Sequence, residues 1–281
     1  MTGTRAEHEK NRVALSSVVA ALFLTGFKVV TGLMTGSMGI LAEAAHSALD
    51  LIAAVITLFA VRFSGRPADL EHTYGHGKIE NLSALFETFL LFLTCVWIIY
   101  ESVKRLLFVD VHVQVSIWAF VVVILSVIID FGRSRALART AKKYNSQALE
   151  ADALHFSTDI WSSLVVLMGL ILVLIAKRTG IAWLVKADAA AALIVAGIVI
   201  HVSLQLGKRT VSALLDAIPS DLISEISRAI MVPGVLRAGR VRARRSGADA
   251  FADITVMVAR DTSLEQAHDI ATAVEERVHR I

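Results

Sequence analysis

Two histidine–aspartate pairs with the same spacing lie in apolar stretches of this 281-residue chain. "HSALD" carries His46 and Asp50, and "HFSTD" carries His155 and Asp159. Residues four apart on an α-helix share a face, so each pair presents an imidazole and a carboxylate in one direction. A carboxylate deep in a bilayer costs about 2.5–3.5 kcal/mol on insertion scales, so such residues usually face the bundle interior and serve a function. The two pairs therefore predict a shared polar partner.

The four side chains form a donor set that suits a divalent metal ion. Two imidazole nitrogens and two carboxylate oxygens match the four-coordinate set that Zn²⁺ accepts at about 2.0–2.2 Å. Mg²⁺ and Ca²⁺ prefer more oxygen ligands, and the lack of a thiolate in the set disfavours Cu(I). The alternative is hydrogen bonding or ion pairing between helices without a metal. This alternative explains a single histidine–aspartate pair as well as a metal site does. It explains two matched pairs less well, because each buried charge is costly.

The elements that carry these pairs are predicted to span a membrane. Hydrophobic residues make up 56% of the chain and the mean hydropathy is +0.65, more than a soluble domain of this length needs. A single cysteine, Cys95, excludes a disulfide framework and a cysteine-based zinc site. Six apolar stretches each approach the roughly 20 helical residues that cross a bilayer. They are 13–33, 38–61, 81–100, 113–132, 148–176 and 187–206.

The basic residues predict the orientation of these spans. They are concentrated before the first stretch and in the loops after the second, fourth and sixth stretches. The opposite side has only Lys104, Arg105, Lys177, Arg178 and Lys186. The positive-inside rule therefore predicts that both termini are cytoplasmic. The net charge is +3, but the Lys and Arg residues are clustered between apolar runs and not on one face of a domain. A nucleic-acid partner is therefore not predicted.

The character of the chain changes after Leu206. "DLISEISRAIM" has helical periodicity, "VLRAGRVRARRSG" and "AFADITVMVA" are typical of strands, and "SLEQAHDIATAVEERVHRI" is typical of an amphipathic helix. A small soluble α+β domain is predicted. The predicted organisation is a cytoplasmic tail over 1–12, a six-helix transmembrane domain over 13–209 and a C-terminal domain over 210–281.

Taken together, these features resemble the cation diffusion facilitator family of metal/proton antiporters over nearly the whole chain. The resemblance rests on six spans, both termini inside, HxxxD in spans two and five, and the small C-terminal domain. It implies a helical bundle with a ferredoxin-like, metallochaperone-like cytoplasmic domain that lacks its last strand here. It also implies a homodimer in a bacterial inner membrane, a secondary transporter and not an enzyme, and no organic cofactor.

The loop after the second span, "RPADLEHTYGHGKIENL", resembles the stretch in which some family members hold a second, peripheral metal ion. By that match Asp69, His72 and His76 are its ligands. Independently, a carboxylate and two histidines within eight positions, beside Gly75 and Gly77 that let the loop turn, suit a partly exposed zinc site. A solvated polar loop is the alternative.

The resemblance implies further roles outside the two metal sites. Lys78 and Asp216 match positions that pair at the hinge between the two domains, although a surface pair is often worth only about 0–1 kcal/mol. Leu154 matches an apolar residue that closes the path to the cytoplasm, with lipid-facing packing as its alternative. Independently of the resemblance, Glu87 in the third stretch and Glu43 just before His46 are in or near the membrane and are expected to orient the histidines.

Other polar residues are expected to contribute less. His112, His201 and Asp130 lie near span ends, where they can reach the membrane interface. In the C-terminal domain, Gly239 and Thr255 stand where the resemblance places histidines, and only His268 is kept. An incomplete metal site is therefore expected there.

The resulting hypothesis is export of Zn²⁺ from the cytoplasm in exchange for protons. The best-known bacterial branch of the family has Asp at the position of His46. The histidine at this position makes the site resemble those of the zinc-preferring branches more closely. Three alternatives stay open: an exporter of Cd²⁺, Co²⁺, Fe²⁺ or Mn²⁺, a non-transporting metal-responsive scaffold, and an intramembrane metalloenzyme. The sequence has no HExxH motif or serine-nucleophile elbow that would favour the last of these.

Overall fold

The computed structural model describes residues 2–108, 117–179, 183–218 and 220–281. His112 and the first residues of the fourth predicted span lie outside the described residues. Six long helices come first, followed by a small α+β unit. They are α1 (Thr2–Thr35), α2 (Met38–Ser64), α3 (Lys78–Phe108), α4 (Ile117–Tyr144), α5 (Gln147–Thr179) and α6 (Trp183–Leu214).

Each long helix contains most of one predicted apolar stretch. Among the described residues, five segments are long and apolar enough to cross a membrane: Arg5–Thr35, Met38–Ser64, Lys78–Lys104, Ile117–Tyr144 and Ala192–Leu214. The remaining helix, α5, has 33 residues and is therefore about 50 Å long. It packs against α2, α3, α4 and α6, which gives its polar residues protein neighbours. The predicted fold class is confirmed.

Helix α1 begins earlier than the sequence suggests. Residues 2–12, expected to be a tail, continue α1 as regular helix. Lys10 reaches Glu80 of α3 at 2.8 Å, and Glu9 accepts from Lys143 at 2.7 Å and from Tyr144 at 2.6 Å at the end of α4. Residues 2–12 have no apolar face to pack against the bundle, so these polar contacts stabilise them as helix.

Glu80 is the centre of a buried polar cluster that joins the helix ends on the side of the soluble unit. Its side chain is 1% exposed. One carboxylate oxygen accepts from Lys10 and from Ser64 of α2, and the other accepts from Ser146 just before α5. A buried carboxylate is stable only when paired and hydrogen-bonded, so this cluster fixes the ends of several helices to one another.

The soluble unit consists of α7 (Ser220–Ala229), β1 (Arg237–Ser246), β2 (Asp249–Met257) and α8 (Leu264–Val278). The two strands form an antiparallel hairpin that turns at Gly247, whose φ is +63°. The helices cover one face of this hairpin around a core of Ile226, Ile230, Val232 and Val274. The predicted two-helix, two-strand domain is confirmed.

Gly239 and Thr255 lie opposite each other across this hairpin. A Cβ atom on Gly239 would lie 3.0 Å from the carbonyl oxygen of Thr255, at an irregularity in the register between Ala238 and Val241. Gly239 has no side chain and Thr255 offers only a hydroxyl, while His268 is exposed on α8. The expectation of an incomplete metal site in this domain stays a prediction.

Candidate metal site within the helix bundle

Two helices that run in opposite directions bring the histidine–aspartate pairs to the same depth. Gly36, with a φ of +63°, allows the tight turn between α1 and α2, and Ser37 caps the start of α2. His46 then lies about 12 Å along α2 from its start, and Asp159 about 18 Å along α5 from its start. Both positions are well inside the bundle.

The four side chains converge on one volume. The Nε2 atom of His155 lies 3.1 Å from Oδ1 of Asp50 and 3.6 Å from Oδ2 of Asp159. The Nε2 atom of His46 lies 3.9 Å from Oδ1 of Asp50 and 4.0 Å from Oδ1 of Asp159. Ligand atoms about 2.0–2.2 Å from one tetrahedral ion lie about 3.3–3.6 Å apart. The ligand atoms of His46, Asp50 and Asp159 lie within 4.8 Å of one another, and His155 contacts both carboxylates, so these four His–Asp contacts need only small movements to reach that geometry.

The site is buried on one side and open on the other. The His155 side chain is 4% exposed, whereas that of His46 is 41% exposed. A cavity of about 500 Å³ reaches His46, Asp50 and Asp159, and its lining extends to Gly39 near the start of α2 and Ser102 near the end of α3. The cavity therefore opens toward the helix ends that lie away from the soluble unit.

The opposite side of the site is closed by packing. Leu154, one residue before His155, packs against buried Ala84, Ala151 and Leu206. Phe156 is 1% exposed and belongs to the main apolar core of the bundle. The predicted gate residue thus lies between the cluster of His46, Asp50, His155 and Asp159 and the side that carries the soluble unit.

Glu87 faces His155, as the sequence analysis expects. Its Oε2 lies 3.7 Å from Nδ1 of His155, and its Oε1 accepts a hydrogen bond from Thr57 at 3.1 Å. Glu43 behaves differently, because its carboxylate pairs with Lys28 of α1 at 3.3 Å, and Lys28 also donates to Ser47 at 2.7 Å. The two acids therefore have different partners.

Asp130 does not reach the membrane interface as expected. It is 9% exposed, lines the cavity and pairs with Arg133 at 2.9 Å. The guanidinium of Arg133 also donates to Ser17 at 3.1 Å and lies 3.5 Å from the ring centre of Phe156. His201 is exposed and bonds to Gln205 at 3.0 Å.

Sequence reasoning missed Lys28, Arg133 and the fully buried Asp152, which contacts Ser17 at 3.4 Å. The sequence contains features that could have identified Arg133 and Lys28. Asp130 and Arg133 have the (i, i+3) spacing that places opposite charges on one helix face. Lys28 stands alone within an apolar run, which by itself marks an interior-facing residue.

The loop between α2 and α3 holds a second cluster of metal-ligand types. Oδ1 of Asp69 lies 3.1 Å from Nδ1 of His72, and Oδ2 lies 3.4 Å from Nε2 of His76. The backbone N–H of His72 donates to Asp69 at 2.6 Å, which holds the pKa of that carboxyl below its ordinary value. Gly75, with a φ of +74°, allows the turn that folds His76 back. One ion can reach all three side chains.

Lys78 and Asp216 form the ion pair that the sequence analysis expects. Their Nζ and Oδ1 atoms lie 2.8 Å apart, and Lys78 also donates to the carbonyl of Leu214 at 3.3 Å. Asp216 has a φ of +61° just beyond the end of α6. The pair joins the start of α3 to the segment that leads into the soluble unit.

Comparison with known proteins identifies the family. Residues 14–215 match the family model described as the cation efflux transmembrane domain, and residues 218–281 match that of the cation efflux protein cytoplasmic domain. The chain belongs to the cation diffusion facilitator family. Members of this family are transporters, so this protein is a cation efflux transporter and an integral membrane protein.

Several bacterial members of the cation diffusion facilitator family are similar along nearly their whole length. The manganese efflux system protein MneP of Bacillus subtilis is 31% identical over 276 residues, which cover 98% of this chain and 92% of that protein. The cation-efflux pump FieF of Yersinia enterocolitica is 33% identical over 274 residues, covering 95% and 87%. FieF of Pectobacterium carotovorum is 32% identical over 269 residues, covering 94% and 86%.

Proposed function

We propose that this transporter exports Zn²⁺ from the cytoplasm in exchange for protons. The observation that carries the proposal is the convergence of His46, Asp50, His155 and Asp159 at the base of a cavity inside the bundle. Two nitrogens and two oxygens at these separations suit a tetrahedral dication. A cluster of two acids and two histidines at this depth is costly without such a ligand.

The donor set also governs the choice of metal. Imidazole ligands suit Zn²⁺, whereas carboxylate, carbonyl and water ligands suit Mn²⁺. Relatives named for manganese efflux and for cation efflux in general support the broader alternative, in which Cd²⁺, Co²⁺, Fe²⁺ or Mn²⁺ is carried as well. The two histidines favour zinc among these ions.

Proton exchange follows from the chemistry of the same ligands. An imidazole binds a metal only in its neutral form, and its ordinary pKa of about 6.5 lets protons compete with the metal near neutral pH. When the site faces outward, protons displace the ion, and the protonated site then returns. The proton gradient across the membrane supplies the free energy for this cycle.

Within this proposal, the direction in which the cavity opens supports an outward-facing state of the cycle. The cavity above the site opens away from the soluble unit, and Leu154 separates the site from the opposite side. In the inward-facing state α5 moves relative to α3 and α6 so that Leu154 leaves its contacts with Ala84 and Leu206. Leu154 acts as the inner gate.

The surroundings of the transport site complete the proposal. Asp69, His72 and His76 bind a second divalent ion in the cytoplasmic loop, for which their three-way convergence is the support. Both termini are cytoplasmic, the protein lies in the inner membrane, and it acts as a homodimer through its cytoplasmic domain. Lys78 and Asp216 form the hinge between the domains.

Flux in proteoliposomes tests the transport proposal. We expect wild-type protein to couple a pH gradient to uptake of Zn²⁺, with slower uptake of Mn²⁺, and we expect Asp159→Ala to abolish it. His201→Ala is a matched control, because His201 is exposed, bonds to Gln205 and does not line the cavity at the site. Undiminished flux in Asp159→Ala would overturn the proposal. Zinc binding without flux in the wild type would favour the metal-responsive scaffold.

A further inference from the structure

A second large cavity lies at the other end of the bundle, on the side of the soluble unit. It has a volume of about 950 Å³ and is lined by the ends of α4, α5 and α6, together with one residue of β1. Its floor is largely apolar and its rim is basic, and the lining also includes the uncharged polar residues Ser134, Ser157, Gln205 and Ser212. The floor includes Ala138, Ala141, Ala153, Leu154 and Ala213, and the rim includes Lys142, Lys208, Arg209 and Arg245.

The charges of this rim are unbalanced. Glu150 is the only acid among the described lining residues, and it pairs with Arg209. Lys142, Lys208 and Arg245 form no ion pair with any described residue. Access routes for a metal cation are stabilised by negative potential, so this rim opposes a cation. Its chemistry favours an anion.

The depth of the cavity indicates what kind of anion fits. The apolar run of α6 ends at Leu206, so Lys208 and Arg209 lie where the hydrocarbon region gives way to headgroups. The apolar floor lies next to this rim, on the same helices. A ligand that fills the cavity therefore needs a charged end and an apolar end. A phospholipid has both.

Arg245 extends the rim from the membrane helices to the soluble unit. The hairpin that carries it is docked on the α2–α3 loop, where the guanidinium of Arg244 lies 3.1 Å from the ring centre of Tyr74 and Phe251 packs edge-on against the same ring at 5.3 Å. The backbones of Gly77 and Gly247 touch beside them. The docked hairpin thus holds Arg245 over the cavity.

We propose that this cavity binds an anionic phospholipid of the leaflet on the soluble-unit side, with its phosphate held by Lys142, Lys208 and Arg245. Basic pockets between helices at this level recognise anionic headgroups, and charge-assisted bonds to phosphate are the strong ones. The bound lipid bridges α4 and α6 to the hairpin and stabilises the docked arrangement of the two units. Leu154 lines this cavity and is also the proposed inner gate, so the lipid occupies the cavity in the state in which that gate is closed. The inference does not depend on which metal is transported.

Lipid titration of the full-length protein, followed by native mass spectrometry, tests this site. We expect phosphatidylglycerol to bind more tightly than phosphatidylcholine. The double variant Lys208→Gln/Arg245→Gln should weaken the tightest phosphatidylglycerol site by about fivefold for each charge removed. Arg245→Lys, which keeps the charge, should retain most of the binding. Arg139→Gln is the matched control, since Arg139 is exposed on α4 but does not line the cavity.

Thermal unfolding distinguishes a lipid from a soluble anion. We expect phosphatidylglycerol to raise the melting temperature of the wild type and to have a smaller effect on the double variant, with inorganic phosphate giving little protection to either. Equal protection by inorganic phosphate would assign the cavity to a soluble anion and overturn the lipid proposal. Equal affinity for the two lipids, or unchanged phosphatidylglycerol affinity in the double variant, would also overturn it.

Discussion

The Nδ1 atom of His155 lies 3.7 Å from Oε2 of Glu87, and neither atom has a hydrogen-bond partner among the described residues. Glu87 is held by Thr57 through its other oxygen. The two atoms are beyond hydrogen-bonding distance, so the side chains must move slightly closer before the Nδ1–H group donates to Glu87. That hydrogen bond would fix the ring and leave the other nitrogen free for a metal. Here that nitrogen is Nε2, which faces Asp50 and Asp159.

The first prediction concerns Glu87. Loss of such an orienting carboxylate typically costs about 10- to 100-fold in metal affinity, so we expect Glu87→Gln to weaken Zn²⁺ binding by that factor. Calorimetric titration of purified protein measures it, and Glu43→Gln is the matched control because Glu43 pairs with Lys28. Equal affinities for Glu87→Gln and wild type would refute the orienting role.

The second prediction concerns selectivity at His46. Replacing an imidazole with a carboxylate shifts the set toward oxygen ligands, which suit Mn²⁺ better than the original set does. We therefore expect His46→Asp to raise the ratio of Mn²⁺ to Zn²⁺ transport in a competition assay. Preserved total flux is the internal control. An unchanged ratio would mean that selectivity is set elsewhere.

The third prediction concerns the buried ion pair of Lys10 and Glu80. Removing one partner of a buried pair leaves an uncompensated charge, so Glu80→Ala should lower the free energy of unfolding by about 3–5 kcal/mol. The double variant Lys10→Met/Glu80→Leu replaces both charges by apolar groups and should recover much of that loss. Unfolding in detergent measures both. A loss of stability in the double variant larger than that in Glu80→Ala would contradict the pairing.

The fourth prediction concerns the contact between Gly77 and the hairpin. A Cβ atom on Gly77 would overlap the carbonyl oxygen of Ser246, whose backbone cannot give way as a side-chain end can. We expect Gly77→Ala to undock the hairpin and to increase hydrogen exchange in residues 244–251. Gly26→Ala is the control, because no atom lies within 4 Å of the added Cβ atom. Equal exchange in both variants would exclude the close contact.

The fifth prediction concerns the loop site. If Asp69, His72 and His76 hold an ion, His76→Ala should lower the zinc content of the protein by about one ion per chain after dialysis. His279→Ala is the control at the C-terminal end of the chain. Unchanged zinc content in His76→Ala would favour the solvated polar loop.

The sequence by itself determined the parts of this protein that depend on local spacing. The (i, i+4) pairs fix which face of α2 and α5 is polar, because helix geometry is the same everywhere. Apolar runs of membrane length fix the helices, since a bilayer leaves the backbone few other ways to satisfy its hydrogen bonds. Asp69, His72 and His76 are within one short loop, so their convergence also follows from local geometry.

The tertiary structure alone decided which charges meet. The sequence predicts the same role for Glu43 and Glu87, which is to orient the histidines. In the structure, the rotation of each helix turns Glu43 toward Lys28 and Glu87 toward His155. The helical start of α1 depends on Glu80, 70 residues away. The direction of the cavity likewise depends on how six helices tilt against one another, because many weak packing contacts between distant residues, and not any local pattern, set that arrangement.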